Sequence, residues 1–245
     1  MSKRLLDLLV SLIGFVLASP VLLPVMFLVW WGDRHSPFYV ASRVGLDQRP
    51  FRMVKLRSMR IGADKSGVDS TSAGDSRITP VGHFIRRYKL DEVTQLWNVL
   101  IGDMSLVGPR PNVERETRLY TEVEQKLLSV KPGITDYASI VFSDEGDILQ
   151  DHADPDLAYN QLIRPWKSRL GLFYIERRTL VLDIRLIFLT VLAILSRPKA
   201  LQAVAHDLEE RGAPAELVRV AERSERLVPH PPPGAASVVT SRAAA

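Results

Sequence analysis

The chain of 245 residues contains no cysteine, which excludes a disulfide framework, a thiolate zinc site and a cysteine nucleophile, and leaves the redox compartment open. Its five histidines, His35, His83, His152, His206 and His230, fall at no short ligand spacing, so any metal must lean on carboxylates. Aromatic residues reach only 7%, and they are not interleaved with the cations as base-stacking platforms would be. No Gly-rich phosphate loop accompanies them, and nucleic acid is disfavoured as a partner. Only one long uncharged apolar run occurs, and a hydrophobic share of 46% is ordinary for a globular protein, which excludes a multi-span channel. The length suits one main core and a fraction of a second.

That single run, Leu8 to Trp31, is about two dozen residues, enough as a helix to cross a hydrocarbon core of roughly 30 Å. It is too long for the apolar core of a cleaved signal peptide, and no small-x-small site follows Trp30 and Trp31, so it is expected to be retained. Both flanks are basic. Lys3 and Arg4 precede it, and Arg34, Arg43, Arg49, Arg52, Lys55, Arg57 and Arg60 follow, opposed in that stretch only by Asp33 and Asp47. The positive-inside rule puts both flanks on the cytoplasmic side, which a straight span does not satisfy. Within the run Pro20 deprives the Val16 carbonyl of its helical donor, Ser19 can bond back to Phe15, and Pro24 follows, so a sharp break is feasible. A re-entrant hairpin and a proline-kinked span are equally open on these grounds.

Residues 37 to 60 read as short strands and turns, and the Gly-, Ser- and Asp-rich stretch Gly62 to Ser76 as a loop able to move over a site. Val93, Leu96, Trp97, Leu100 and Ile101 follow helical spacing until Gly102, predicting an amphipathic helix with Asp91 and Glu92 in its first turn. A polar helix is expected over Val113 to Ser129, a turn at Pro132-Gly133, and a helix start at Asp154-Pro155. Trp166 to Arg178 mixes apolar residues with cations in the manner of a helix lying in the lipid interface, with ordinary core packing as the alternative. Leu186 to Leu195 is too short to span and reads as a surface or buried helix. Beyond Arg211 the Ala- and Pro-rich composition predicts a disordered end. The resulting division is a membrane helix over 1–32, a body over 33–200, and a C-terminal helix and tail over 201–245.

Chemistry concentrates between Lys55 and Pro111, where Lys55, Arg57, Arg77, Arg86, Arg87, Lys89 and Arg110 accompany the acidic pair Asp91-Glu92. Arginine forks bind phosphate oxygens in bidentate fashion, and several together would hold a diphosphate. A solvated or headgroup-facing basic surface explains the same charges. Adjacent carboxylates on a helix point about 100° apart, so the pair is not the facing couple of a glycosidase. One carboxylate can instead attack phosphorus, helped by a hard cation such as Mg²⁺, while the other handles a proton. For Asp91 a helix N-cap role is equally open.

The string Lys89-Leu-Asp-Glu-Val-Thr-Gln-Leu-Trp-Asn-Val-Leu-Ile-Gly-Asp-Met-Ser-Leu-Val-Gly-Pro-Arg-Pro111 closely resembles the signature of the bacterial sugar transferases, the monotopic phosphoglycosyl transferases. Also similar are Lys3-Arg4 with Asp7, Ser19-Pro20, Val54-Lys-Leu-Arg-Ser-Met59, Asp75-Ser-Arg-Ile-Thr79 and Val130-Lys-Pro-Gly-Ile-Thr135, covering roughly the first 200 residues. The resemblance implies an α+β, mostly helical monotopic membrane protein with an N-terminal re-entrant helix broken at Ser19-Pro20, a small β element and amphipathic interfacial helices. It implies transfer of a sugar 1-phosphate from a UDP-sugar to polyprenyl phosphate with release of UMP, at the cytoplasmic face of the bacterial inner membrane and in contact with membrane lipid. By motif position Asp91 would be the nucleophile and a Mg²⁺ ligand, Glu92 its partner, and Lys55, Arg57, Arg77, Arg86, Arg110 and Pro111 the substrate-binding set. The sequence departs from the common pattern at Val93-Thr94, where the family often has Leu-Pro, and at Asp136-Tyr137-Ala138, where many members carry Gly-Leu-Trp. The second departure bears on acceptor or sugar preference. A non-catalytic membrane scaffold or lipid-phosphate binder would need only the basic and amphipathic surfaces, and a homodimer is left open.

Overall fold

The computed structural model describes residues 2–63 and 74–241. Most of the loop expected to move over the site lies outside the described residues. The chain begins with α1 (Ser2–Asp33) and the antiparallel hairpin of β1 (Phe38–Val44) and β2 (Pro50–Leu56). Next come α2 (Pro80–Arg87), α3 (Leu90–Val93), α4 (Leu96–Ile101), β3 (Ser105–Val107), α5 (Glu114–Thr117) and β4 (Gly133–Thr135). The second half is helical: α6 (Tyr137–Val141), α7 (Glu145–Leu149), α8 (Pro155–Ala158), α9 (Arg164–Arg177), α10 (Leu180–Leu195), α11 (Arg197–Glu210) and α12 (Ala215–Glu222). The fold is therefore α+β and mostly helical, with β3 and β4 forming a second, parallel pair in which Ser105 stands opposite Gly133.

Among the described residues α1 is the one helix long and apolar enough to cross a membrane. It runs without interruption through Pro20 and Pro24, where the sequence allows a sharp break. The reason is local: Ser19 Oγ donates to the Val16 carbonyl at 2.8 Å, supplying the hydrogen bond that Pro20 cannot. Both ends of α1 are tied to the same body. Near its start, Lys3 Nζ meets Asp183 Oδ2 at 2.6 Å, and Asp7 accepts from Ser105 Oγ at 3.1 Å and from the Leu106 N–H at 3.0 Å. Arg4 donates to the carbonyls of Val99 and Leu100, where a cation suits the C-terminal end of α4. At the far end Leu22, Val25 and Val29 pack with Leu56 and Ile85, and Asp33 takes the fork of Arg57.

Asp183 is almost fully buried, and among the described residues its carboxylate is otherwise bonded only to the Tyr174 hydroxyl, at 2.6 Å. Lys3→Ala is expected to cost about 1.5 kcal/mol, the worth of a charge-assisted bond. The check is the unfolding midpoint in detergent, and an unchanged midpoint would place Lys3 in solvent.

The main core lies among α6, α9, α10, α11 and α12 and the β3–β4 pair. Here α9 takes the core-packing alternative rather than the lipid interface: Trp166, Leu170, Phe173 and Tyr174 are buried. Three of its four cations are engaged within the protein, Arg164 with Glu124, Lys167 with Glu145 and Arg169 with the Pro165 carbonyl, while Arg177 is exposed. The outward apolar surface sits elsewhere. α10 buries Leu182, Leu186 and Leu189 and exposes Val181, Phe188, Val191 and Leu195. Phe84, Tyr88, Trp97, Ile101 and one side of α1 are exposed as well.

Two further expectations are corrected. The predicted polar helix over Val113 to Ser129 is the single turn of α5 and a 3-10 turn at Glu124–Ser129. The tail beyond α12, described as far as residue 241, is an extended strap rather than free chain. Its carbonyls find donors, with Arg169 bonding to Pro231 at 3.0 Å and Gln161 to Val239 at 2.7 Å, and His230 lies against Trp166 at 4.4 Å between ring centroids. Proline holds such a strap extended at little entropic cost, so the composition that suggests disorder also suits a docked strand.

Candidate active site

The acidic pair is presented by a break that periodicity does not show. The helix expected from Val93 divides into α3 and α4 at Thr94-Gln95. Thr94 Oγ1 bonds to the Asp91 carbonyl at 3.0 Å and reaches the Val54 carbonyl of β2 at 3.3 Å. Four residues on, the buried Asn98 accepts from the Val54 N–H at 2.9 Å and donates to the Arg52 carbonyl at 2.7 Å, like an extra rung on the sheet edge. The two contacts zip α3 and α4 onto β2 and set Lys55 Nζ 4.0 Å from Asp91 Oδ2. Directly before α3, Lys89 adopts a left-handed backbone with φ 54°, an uncommon conformation for a side-chain-bearing residue and one that recurs where function over-determines geometry.

Arg110 arrives from the opposite side. A Cβ on Gly133 would lie 2.1 Å from the Gly108 nitrogen, and one on Gly108 would lie 2.5 Å from the Lys131 carbonyl oxygen, so this crossing admits only glycine at both positions. The close approach brings the Pro109-Arg110-Pro111 segment against β4. Arg110 Nη2 bonds to Glu92 Oε1 at 2.9 Å and Nη1 reaches the Ile134 carbonyl at 3.5 Å. Arg86 joins through α2, which approaches so closely that a Cβ at Gly82 would fall 1.8 Å from the Ser58 carbonyl oxygen. Its Nε donates to Ser58 Oγ at 3.1 Å, and its charge faces Asp91 and Asp75.

The electrostatics follow from burial among several cations. Burial, with the Arg110 charge behind it, lowers Lys55 to about 8, and Asp91 and Glu92 only partly offset this. Burial pushes Glu92 upward, but Arg110, Lys89 and Lys55 outweigh it and hold the carboxyl below its ordinary range. Glu92 in turn raises Arg110 against the effect of burial. Arg86 is lowered, by burial first. The two carboxylates are thus differently engaged. Glu92 is committed to Arg110, whereas among the described residues Asp91 accepts no hydrogen bond through its carboxylate and has only the 4.0 Å contact with Lys55.

Of the residues singled out in the sequence, Lys55, Arg86, Asp91, Glu92 and Arg110 come together, and Pro111 is buried beside Arg110 in a cavity wall. Arg77 is held by Asp75 through bonds of 2.6 and 2.9 Å, close enough for its charge to act on Arg86. Arg57 is not brought to the acidic pair: its fork closes on Asp33 and the Ser36 carbonyl. Ser19 and Pro20 stay on α1. Sequence reasoning missed the parts that Thr94, Asn98 and Ser58 play. A polar Asn98 inside an apolar helical run was the available signal.

Cations grouped about a carboxylate that accepts no hydrogen bond among the described residues, beside a second carboxylate bonded to Arg110, are the kind of set that can hold phosphate oxygens. The family model described as bacterial sugar transferase matches residues 1–197. The chain belongs to that family. A UDP-glucose:undecaprenyl-phosphate glucose-1-phosphate transferase of Klebsiella pneumoniae is 35% identical over 193 residues, 77% of this chain and 39% of that protein. A UDP-N-acetylgalactosamine-undecaprenyl-phosphate N-acetylgalactosaminephosphotransferase of Aeromonas hydrophila is 32% identical over 79% of this chain and 44% of its own length. Exopolysaccharide production protein ExoY of Sinorhizobium fredii (strain NBRC 101917 / NGR234) is 31% identical over 79% of this chain and 85% of its own. The chain therefore matches less than half the length of the first two, and their names differ in the sugar.

Proposed function

We propose that this family member moves a sugar 1-phosphate from a UDP-sugar to polyprenyl phosphate and releases UMP. The observation that carries the reading is the Asp91 carboxylate, which accepts no hydrogen bond among the described residues, lies 4.0 Å from Lys55 Nζ and within the influence of the Arg86 charge, and stands beside a Glu92 fixed by Arg110. An Asp91 oxygen attacks the sugar-bearing phosphorus, the bond to the UMP oxygen breaks, and UMP leaves with that electron pair. An oxygen of polyprenyl phosphate then attacks the same phosphorus, giving a polyprenyl diphosphate sugar and freeing Asp91. Lys55, Arg86 and Arg110 stabilise the charge on the phosphoryl oxygens in both steps. Glu92 holds the Arg110 fork in place and is positioned to handle a proton of the incoming phosphate.

The family resemblance implies Mg²⁺. Among the described residues no group of three or more His, Asp or Glu could cage a metal. Magnesium at phosphate sites commonly uses one or two carboxylates together with substrate phosphates, and Asp91 with a bound diphosphate fits that mode. When bound, the ion would neutralise diphosphate charge.

For the membrane, α1 is proposed as a re-entrant anchor; since the helix is not interrupted at Pro20 or Pro24, its return to the same face would be a bend at the prolines and not a break. Support comes from Lys3, Arg4 and Asp7 at one end and Asp33 at the other, all bonded to one body, with basic flanks at both ends. On this reading the site would lie at the cytoplasmic surface, where a water-soluble donor and a lipid-borne acceptor meet.

The experiment is release of UMP by the full chain in nanodiscs containing polyprenyl phosphate, across UDP-glucose, UDP-galactose and their N-acetyl derivatives. Acceptor-dependent turnover beyond one equivalent of UMP is expected with at least one donor, and no release with any donor would leave a non-catalytic lipid-phosphate binder. In the same assay Arg110→Lys is expected to lower kcat/KM at least tenfold, about 1.4 kcal/mol, because a point charge replaces a fork shared with Glu92. Activity within about twofold of wild type would mean that Arg110 only faces solvent.

A further inference from the structure

A cavity opens on the side of Arg110 away from the acidic pair, walled by Arg110, Asn112, Asp136, Ser139, Tyr159 and Lys167 among others. Arg110 is shared between the two spaces. One arm bonds Glu92, while the other reaches the Ile134 carbonyl two residues before Asp136. A group attached to a phosphate held at Arg110 therefore has this cavity next to it.

Asp136 is 1% exposed, and its Oδ1 takes both bonds from Ser139, N–H and hydroxyl, each at 2.7 Å. Its other oxygen, Oδ2, has no hydrogen-bond partner among the described residues. That oxygen is not sealed off, and Asp136 lines the cavity, so a ligand hydroxyl or amide N–H placed there can donate to it. The charge of Lys167, itself paired with Glu145, acts on Asp136, so a cation and an acceptor stand together. Burial pushes the Asp136 carboxyl up, and the two Ser139 bonds only partly offset this.

We infer that the sugar of the donor lies at the mouth of this cavity, whose free volume of about 50 Å³ suits one substituent, and that Asp136 Oδ2, with Lys167 nearby, reads the hydroxyl or N-acetyl group that enters it. The inference rests on the transferase reading above. Two considerations select the sugar over the nucleoside. The sugar stays on the attacked phosphorus through both steps, so it is the part next to Arg110. A uracil ring would want an open aromatic face, but a cation already stands over each tyrosine of the cavity, Arg164 at 5.5 Å from the Tyr120 ring and Lys167 at 5.4 Å from the Tyr159 ring. What remains is an acceptor, a cation and Asn112, which suit a polyol.

The test uses the full chain in nanodiscs with the same four UDP-sugars, comparing wild type with Asp136→Asn and Asp136→Ser. Both replacements can still cap α6, so the fold has a substitute for the lost carboxylate, and the thermal midpoint checks it. The ratio of kcat/KM between the best and next-best donor is expected to fall at least tenfold in both, because a site built to bond a substrate hydroxyl discriminates strongly against its absence. Inhibition by UMP is expected to stay within twofold. Folded variants that keep the wild-type ratio overturn the sugar assignment. Variants that weaken UMP inhibition as much as they weaken every donor assign the cavity to the nucleoside and also overturn it. A wild-type chain that releases UMP from no donor instead defeats the transferase reading, and the sugar assignment with it.

Discussion

Asp91→Asn is expected to reduce sugar-phosphate transfer to background while leaving the unfolding midpoint nearly unchanged. The two halves of that expectation have separate origins. An amide is not a nucleophile toward phosphorus, so loss of the carboxylate removes the covalent step itself rather than slowing it. The fold has little to lose, because the Asp91 carboxylate accepts no hydrogen bond among the described residues and its one ion contact, with Lys55, is 4.0 Å long. The position of α3 depends instead on the Asp91 backbone carbonyl, which takes the Thr94 hydroxyl, and on Asn98. Retained turnover in a folded Asp91→Asn chain would remove the nucleophile assignment. A midpoint lowered by several degrees would show the carboxylate to be structural.

The second large effect concerns the anchor. Lys3, Arg4 and Asp7 supply the polar ties of the first turns of α1, and all three reach parts of the body that are far away in sequence. Replacing them together, as Lys3→Ala, Arg4→Ala and Asp7→Leu, strips the N-terminal flank of its positive charge and extends the uncharged apolar run to the start of the helix. It also leaves the buried Leu106 N–H and Ser105 hydroxyl without their acceptor, at about 1–3 kcal/mol each. The N-terminus should then cross the bilayer. Ser2→Cys, introduced into a chain with no other cysteine, reports the side through an impermeant thiol reagent on intact cells. Labelling is expected only when the three substitutions accompany it. Labelling of Ser2→Cys alone would mean that α1 already spans, and the re-entrant reading would fail.

What the sequence discloses, and what it hides, divides along range. The long apolar run and the β1–β2 hairpin are local patterns, and the structure has both. Helical spacing from Val93 is local too, but the break at Thr94-Gln95 is imposed by β2 through Thr94 and Asn98, which periodicity along one segment does not register. Apolar spacing also says nothing about what covers the face. Trp97 and Ile101 belong to the stripe and are exposed, whereas Trp166 and Phe173, beside four cations, are buried. Arg164, Lys167 and Arg169 of α9 find partners in Glu124, Glu145 and the C-terminal strap, contacts that close over long separations in the chain. The same holds for Arg57: it sits in a basic cluster near Lys55, and only the fold turns it toward Asp33. The acidic pair was visible as a pair. Its asymmetry, one carboxylate bonded and one free, depends on the Gly108–Gly133 crossing that delivers Arg110.

The measurement that bears most directly on the proposed chemistry is mass spectrometry of the chain incubated with a UDP-sugar and Mg²⁺ in the absence of polyprenyl phosphate. Covalent catalysis through Asp91 predicts one added sugar phosphate on the peptide that carries Asp91, one equivalent of UMP released, and loss of the adduct when polyprenyl phosphate is supplied. An unmodified chain that nonetheless transfers sugar phosphate once the acceptor is added, or an adduct on Glu92 in place of Asp91, would contradict it.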